Sequence, residues 1–228
     1  MIELVLVRHA QPDWEPGGRA VDHPELSQHG RLQAAALAEA LAGESFDHCY
    51  TSTLDRAIET AEFVTRRTGQ RFEQHSWLDE LRLPPLEGRT SEQVERFFRD
   101  ARARDLEKWW DGGEGGETFR HMYERVTTGL EELLEGTHGL RSHDNSGYRL
   151  WRPPESDLRI LIVAHEGTNA VILSHLLGID PIPWAYLRFS TAWCGISRIR
   201  TLPVAGARIW VLESFNRLGH LDGLVSPG

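Results

Sequence analysis

Two short apolar runs in this chain end on basic side chains. Ile2-Glu3-Leu4-Val5-Leu6-Val7 leads into Arg8-His9, and Arg159-Ile160-Leu161-Ile162-Val163-Ala164 leads into His165. A neutral imidazole can act as nucleophile or proton carrier near neutral pH. A guanidinium keeps its charge, and its planar fork can grip two oxygens of one phosphate. A third basic group lies in Tyr50-Thr51-Ser52-Thr53-Leu54-Asp55-Arg56-Ala57, where Ser and Thr are available to cap a helix with Arg56 in its first turn. Free amides at a helix start add to the attraction for an anion. Arg8, His9, Arg56 and His165 together would make a cationic pocket for a phosphoryl group, with preorganised charges stabilising its transfer. Each also has an ordinary reading alone. A strand-end histidine can be structural, and Arg56 could pair on the surface with Asp55 or Glu59.

Convergence depends on the elements that carry these groups. Both apolar runs are short and rich in β-branched residues, the pattern of buried strands, and ligands bind at the carboxyl ends of strands in open parallel sheets. Ser27 reads as the N-cap of a helix over 28–42 that ends at Gly43. A strand over 46–50 precedes a helix over 53–68 closed by Gly69, and 71–78 is a weaker strand candidate. Helices are expected over 91–110 and 118–134, separated by the glycine-rich stretch 111–116. A compact apolar helix over 168–177 stops at Gly178, and 195–202 and 207–213 alternate like paired strands. The implied class is α/β, a three-layer α/β/α arrangement with a mostly parallel central sheet and an antiparallel pair at its edge. The chain is expected to form a single domain over 1–228. Residues 136–157, rich in Gly, Ser, Asn, Pro and Arg, are expected as a long loop insertion, either a lid or a disordered segment. That loop and the helices around Trp109 are the expected seat of specificity, with Trp109 and Trp110 read as core residues.

Composition narrows the partners. A length of 228 residues with 40% apolar content permits a substantial core. No stretch approaches the roughly 20 apolar residues needed to cross a bilayer, and the N-terminus opens on a strand instead of a signal-peptide pattern. A cytoplasmic location with no membrane partner is expected. The net charge of −9 argues against nucleic-acid binding, which needs an extended basic face, but not against a small anion in a cleft. Cys49 and Cys194 read as buried structural thiols, neither a disulfide framework nor a thiolate metal site. His23, His29, His48, His75, His121, His138, His143, His175 and His220 show no ligand spacing with carboxylates or cysteines, so neither metal nor cofactor is expected. Oligomeric state is left open.

Leu6-Val7-Arg8-His9-Ala10 resembles the "RHG" signature of the histidine phosphatase superfamily, the phosphoglycerate-mutase-like proteins, with Ala10 in place of glycine. The resemblance continues in order through Leu26-Ser27-Gln28-His29-Gly30-Arg31, Thr51-Ser52-Thr53-Leu54-Asp55-Arg56-Ala57, Gly115-Gly116-Glu117-Thr118 and Val163-Ala164-His165-Glu166-Gly167-Thr168. It implies a phosphoglycerate-mutase-like fold with His9 as phosphorylated nucleophile. Arg8, Arg56 and His165 would hold the phosphoryl oxygens. The stretch Leu78-Asp79-Glu80-Leu81 resembles the one that carries the family's acid, which points to Glu80, with Asp79 and Glu87 as competing carboxylates. Burial would raise the acid's pKa and the arginines would lower it. The implied activity is metal-independent hydrolysis of a phosphomonoester, a small phosphorylated metabolite, through a phosphohistidine. Mutases of the superfamily carry Glu-Arg-His-Tyr-Gly around the acid, whereas this chain reads Glu80-Leu81-Arg82-Leu83-Pro84, which favours hydrolysis. The alternatives are mutase-type phosphoryl transfer and a non-catalytic phospho-ligand binder. Glu15 stands where the family commonly has a phosphate-binding asparagine, and is expected to point away or to read a cationic part of the substrate. Gly17-Gly18-Arg19-Ala20-Val21 replaces a glutamine-bearing stretch. Glu166 stands where glycine is frequent; its backbone amide is expected to serve the substrate while its side chain points outward. Asn216 and His220 also resemble a segment of related phosphatases.

Overall fold

The computed structural model describes residues 1–145, 147–154 and 156–225. Its strands are β1 (Ile2–Arg8), β2 (His48–Thr51), β3 (Glu73–Gln74), β4 (Arg141–Asn145), β5 (Tyr148–Arg152), β6 (Leu158–Ala164), β7 (Ile196–Val204) and β8 (Ala207–Arg217). The helices are α1 (Gln28–Leu41), α2 (Asp55–Thr68), α3 (Ser91–Arg102), α4 (Phe119–Glu131) and α5 (Glu166–Leu176). All strands join one sheet in the order β3-β2-β6-β1-β7-β8-β5-β4.

β1 and β6 are parallel neighbours from Ile2 opposite Leu158 to Arg8 opposite Ala164. The two basic strand ends therefore lie side by side. β2 runs parallel on the other flank of β6, and β3 parallel beyond it. Along β1, side chains alternate between faces as a pleated strand requires. Leu4 and Leu6 join a core with Ile160, Ile162 and residues of α4 and α5, including Met122, Val126 and Val171. Val5 and Val7 join the opposite core with Leu161, Val163 and α1 and α2 residues, including Leu37, Ala61 and Val64. Each such aliphatic side chain contributes roughly 1.5–3 kcal/mol on burial. These two cores make the three-layer α/β/α arrangement.

Helix starts follow the expected chemistry. Ser27 Oγ accepts from the Gly30 amide, Thr118 Oγ1 from the His121 amide, and Thr90 with Gln93 forms a full capping box. α2 closes on Gly69 at φ 77°, a left-handed position suited to glycine.

Several expectations need correction. β7, β8, β5 and β4 are all antiparallel to their neighbours, so the sheet is parallel only from β3 to β1 and the antiparallel part is far more than an edge pair. Residues 136–157 are no structureless loop. α4 continues as a π-helical turn (Glu132–Thr137), and β4 and β5 then form a hairpin that joins β8 by pairing Trp151 with Arg208. Trp151 is 1% exposed and meets Trp210 edge-on at 6.1 Å, which fixes the hairpin to the core. Because β7 runs opposite to β1, the start of β8 lies at the end of the sheet away from His9. The hairpin, expected to carry specificity, is therefore remote from the strand ends that carry His9 and His165.

The expected strand over 71–78 shrinks to β3 plus a short 3-10 turn (Ser76–Leu78). The expected helix over 91–110 breaks into α3 and a 3-10 segment (Leu106–Asp111). Trp109 and Trp110 are half-buried on that segment instead of in the core, facing Phe119 and Tyr123. Cys49 and Cys194 are buried and free, and burial pushes both thiols upward in pKa. Among the described residues no helix is long and apolar enough to cross a membrane.

Candidate active site

The sheet delivers the two histidines together. The His9 amide donates to the Ala164 carbonyl at 2.9 Å, and the two rings stand 5.0 Å apart between centroids. His9 is 4% exposed and His165 fully buried. The Nδ1 of His9 lies 2.7 Å from the Ala10 carbonyl. A carbonyl can only accept, so Nδ1 carries the proton and Nε2 keeps its lone pair. Ala10 fits in the place of glycine with its amide on Thr60 Oγ1.

His165 is oriented by a chain of hydroxyl and carboxylate. Ser52, just beyond β2, donates from Oγ to Asp79 Oδ1 at 2.7 Å, and its Oγ lies 2.8 Å from His165 Nε2. Since the single Ser52 hydrogen goes to the carboxylate, His165 donates from Nε2. Its Nδ1 is buried without a partner in the protein. Burial, then the positive charges of Arg56 and Arg8 among others, hold both imidazoles well below the ordinary histidine pKa.

Arg56 comes from the first turn of α2 and is 5% exposed. Burial pushes its pKa down to about 10, against the pull of Glu80 and Asp79. Trp14 stacks on its guanidinium at 5.0 Å. Arg8 donates from Nη1 to the Thr191 carbonyl and pairs with Glu166 Oε2 at 3.0 Å, with Trp193 at 5.5 Å from its guanidinium carbon. The Nε groups of Arg8 and Arg56 are buried and unpartnered, like His165 Nδ1. Buried polar nitrogens nearly always have partners, so two unpartnered Nε–H donors in one cationic cluster point to an anionic ligand.

The carboxylates are sorted by their contacts. Glu80 accepts from the Gly167 amide through Oε2 and from its own neighbour Leu81 through Oε1, each at 2.9 Å. A Cβ on Gly167 would sit 2.5 Å from Glu80 Oε1, so the carboxylate can hold this position only beside a glycine. Asp79 is engaged by the Ser52 hydroxyl and by the amide and hydroxyl of Thr53. Glu87 is exposed and accepts from the Asp22 amide. Glu15 bonds Ser91 at 2.5 Å, which takes it to the start of α3.

Glu166 departs from expectation. Its side chain is not directed away from the pocket but turns onto Arg8, while its Oε1 also receives the Ser190 hydroxyl and the Thr191 amide. The buried guanidinium draws it in. Asn216 braces the neighbouring turn, taking the Ala192 amide on Oδ1. Ser52, Gly167 and Arg125 were not picked out as site residues. The sequence showed Ser52 only as a capping candidate, and nothing local marked Arg125 apart from any helix arginine. Among the described residues no three His, Cys, Asp or Glu side chains are grouped to hold a metal ion.

Comparison with known proteins agrees with this arrangement. The model of the histidine phosphatase superfamily (branch 1) matches residues 4–204. Phosphoserine phosphatase 1 of Hydrogenobacter thermophilus is 29% identical over 183 residues, covering 79% of this chain and 78% of the relative. A Salmonella choleraesuis protein named "Probable phosphoglycerate mutase GpmB" is 27% identical over 226 residues, covering 97% and 96%. The structure of a mycobacterial glucosyl-3-phosphoglycerate phosphatase superposes with a TM-score of 0.73 at 26% identity, covering 94% of this chain and 98% of the other. Sequence match, shared fold and the meeting of both strand-end histidines agree: the chain belongs to the histidine phosphatase superfamily.

Proposed function

We propose that this protein hydrolyses a phosphomonoester, a small phosphorylated metabolite, through a phosphohistidine at His9. The observation that carries the reading is the joint placement of a bare His9 Nε2 with three buried, unpartnered nitrogens on Arg8, Arg56 and His165. Nε2 attacks phosphorus while the bond from phosphorus to the ester oxygen breaks, and protonated Glu80 gives its proton to the leaving oxygen. The Glu80 carboxylate then takes a proton from water as the water oxygen attacks phosphorus and the phosphorus–nitrogen bond breaks. Phosphate leaves, and both side chains return to their starting states. Arg8 and Arg56 hold the charge on the transferring group throughout. His165 joins them once protonated on Nδ1, a state that the phosphoryl dianion favours by offsetting the two arginines.

The relative named as a phosphoglycerate mutase, alike over nearly the whole chain, supports a second reading in which His9 passes its phosphoryl group to another substrate. The test is turnover of an aryl phosphate in EDTA with acid- and base-quenched trapping of labelled protein. Wild type should turn over and carry a base-stable, acid-labile label that His9→Ala lacks. Glu80→Gln should accumulate label, since its second step has lost the base. Label without turnover would favour the transferase. Neither label nor turnover across a panel of phosphate esters would overturn both and leave a binding protein.

A further inference from the structure

One interaction beside the site that the chemistry above does not use is a buried ion pair on α4 and the segment before it. Glu117 has no exposed side-chain surface, and Arg125 is 16% exposed. Arg125 donates to both carboxylate oxygens, from Nε to Oε1 at 2.9 Å and from Nη2 to Oε2 at 2.8 Å. The rest of the guanidinium faces backbone: Nη1 meets the carbonyls of Ser76, Trp77 and Asp79 at 3.2, 2.9 and 3.1 Å, and Nη2 that of Glu80 at 3.5 Å. Glu117 grips the chain beyond Glu80 as well. Its Oε2 accepts from the Arg82 amide at 3.2 Å, and its own amide donates to the Arg82 carbonyl at 2.7 Å. The segment therefore has backbone anchors on both sides of the Glu80–Leu81 pair.

We infer that the Arg125–Glu117 pair is a positioning device for Glu80, fixing the backbone on either side of the acid so that its carboxyl stands at the leaving-group oxygen. This rests on Glu80 being the acid and base of the proposed reaction. The segment is short and nearly without regular structure, with only a 3-10 turn at Ser76–Leu78, so it has no ladder of its own to fix the register. Four carbonyls converging on one cation supply that order, and they require a planar fork with several donors. Lysine offers a single compact charge in its place. A carboxylate with no exposed surface lets the guanidinium sit there without stranding a buried charge.

Two substrates distinguish positioning from mere stability. An alkyl phosphate needs its leaving oxygen protonated, whereas p-nitrophenyl phosphate leaves readily without an acid. Wild type, Glu80→Gln, Arg125→Lys and Glu117→Gln would be compared for kcat and KM on both, with trapping of the label on His9. In Arg125→Lys the ratio of aryl to alkyl kcat/KM, which reports the first step, should rise by about tenfold or more, as expected for partial loss of general acid catalysis. The aryl substrate should give a burst with label accumulating, and its kcat and KM should fall together as the second step becomes limiting. Glu117→Gln should move the same way to a smaller extent, and it carries the test if Arg125→Lys does not fold. Equal loss of kcat/KM on both substrates, or a change confined to thermal stability, would overturn the inference. If Glu80→Gln itself leaves the ratio unchanged, the fault lies with the assignment of Glu80 as acid.

Discussion

At the scale of single residues, the candidate site has its protons settled by hydrogen bonds within the protein. The Ala10 carbonyl fixes the His9 proton on Nδ1, and the Asp79–Ser52 bond leaves His165 donating from Nε2. Ser52→Ala would leave both Asp79 Oδ1 and His165 Nε2 short of a partner. The expected outcome is a fall in kcat/KM of about 10- to 100-fold, with Ser52→Thr recovering part of it. An unchanged rate in Ser52→Ala would show that the tautomer of His165 is not under this control. Gly167 gives a sharper prediction. A methyl group there would meet Glu80 Oε1 at 2.5 Å, and the nearest other side chain, Met122, at 3.2 Å. On the proposed phosphohistidine route, Gly167→Ala should therefore imitate Glu80→Gln, slowing hydrolysis of the phosphoenzyme so that label builds up on His9. Wild-type turnover in that variant would mean that the carboxyl works from another position. The sequence reveals the histidines and Arg56 because each follows a recognisable strand or opens a helix. It conceals the role of Arg125: Glu117 lies only eight residues away, but the carbonyls that Arg125 holds lie 45 to 49 residues away along the chain and are backbone atoms without side-chain identity.

At the scale of elements, the parallel strands were legible and the hairpin was not. β1 and β6 are continuous apolar runs because they are buried on both faces. β4 reads Arg-Ser-His-Asp-Asn and is largely exposed, so its composition is that of a loop. Only Leu150 and Trp151 in β5 hinted at a buried edge. Trp151→Ala tests how firmly this edge is attached. Loss of a fully buried indole stacked edge-on against Trp210 should cost about 3–5 kcal/mol of stability. Unfolding in urea measures it, while KM at low temperature should stay near wild type because the hairpin joins the opposite end of the sheet. Little loss of stability would mean that the hairpin is dispensable to the core. A second joint lies near that end. Glu3 of β1 is 6% exposed and accepts from Arg159 at 2.6 Å and Arg198 at 3.2 Å, and both arginines also reach Glu44. Glu3→Gln weakens the charge balance of both arginines and should cost about 2 kcal/mol, less than a fully buried pair because the arginines keep some water.

At the scale of the whole molecule, the layered fold follows from strands that alternate with helices, while the extent of the antiparallel half depends on pairings that no local pattern announces. The same burial that builds the site gives the protein a pH response. His9, His165, His138 and His175 all have pKa values lowered chiefly by burial, that of His138 to about 4. Each is neutral when folded and free to take a proton near pH 6.5 when unfolded. The unfolded chain therefore binds more protons below that pH, and stability, complete above about pH 6.5, falls as the solution is acidified. For His138 the loss is spread between pH 6.5 and 4 and, with solvent screening, stays below about 3 kcal/mol. Overall charge works the other way over the first part of this range. The chain carries −9 at pH 7, with a pI near 5.7, so mild acidification relieves its self-repulsion. A fall in stability between pH 7 and 5.7 must then come from groups such as these histidines. His138→Gln, which can keep the bond to Tyr50 Oη, should flatten the pH dependence of urea unfolding while leaving stability at pH 8 within about 1 kcal/mol of wild type. Parallel curves for the two proteins would show that His138 carries no part of the acid response.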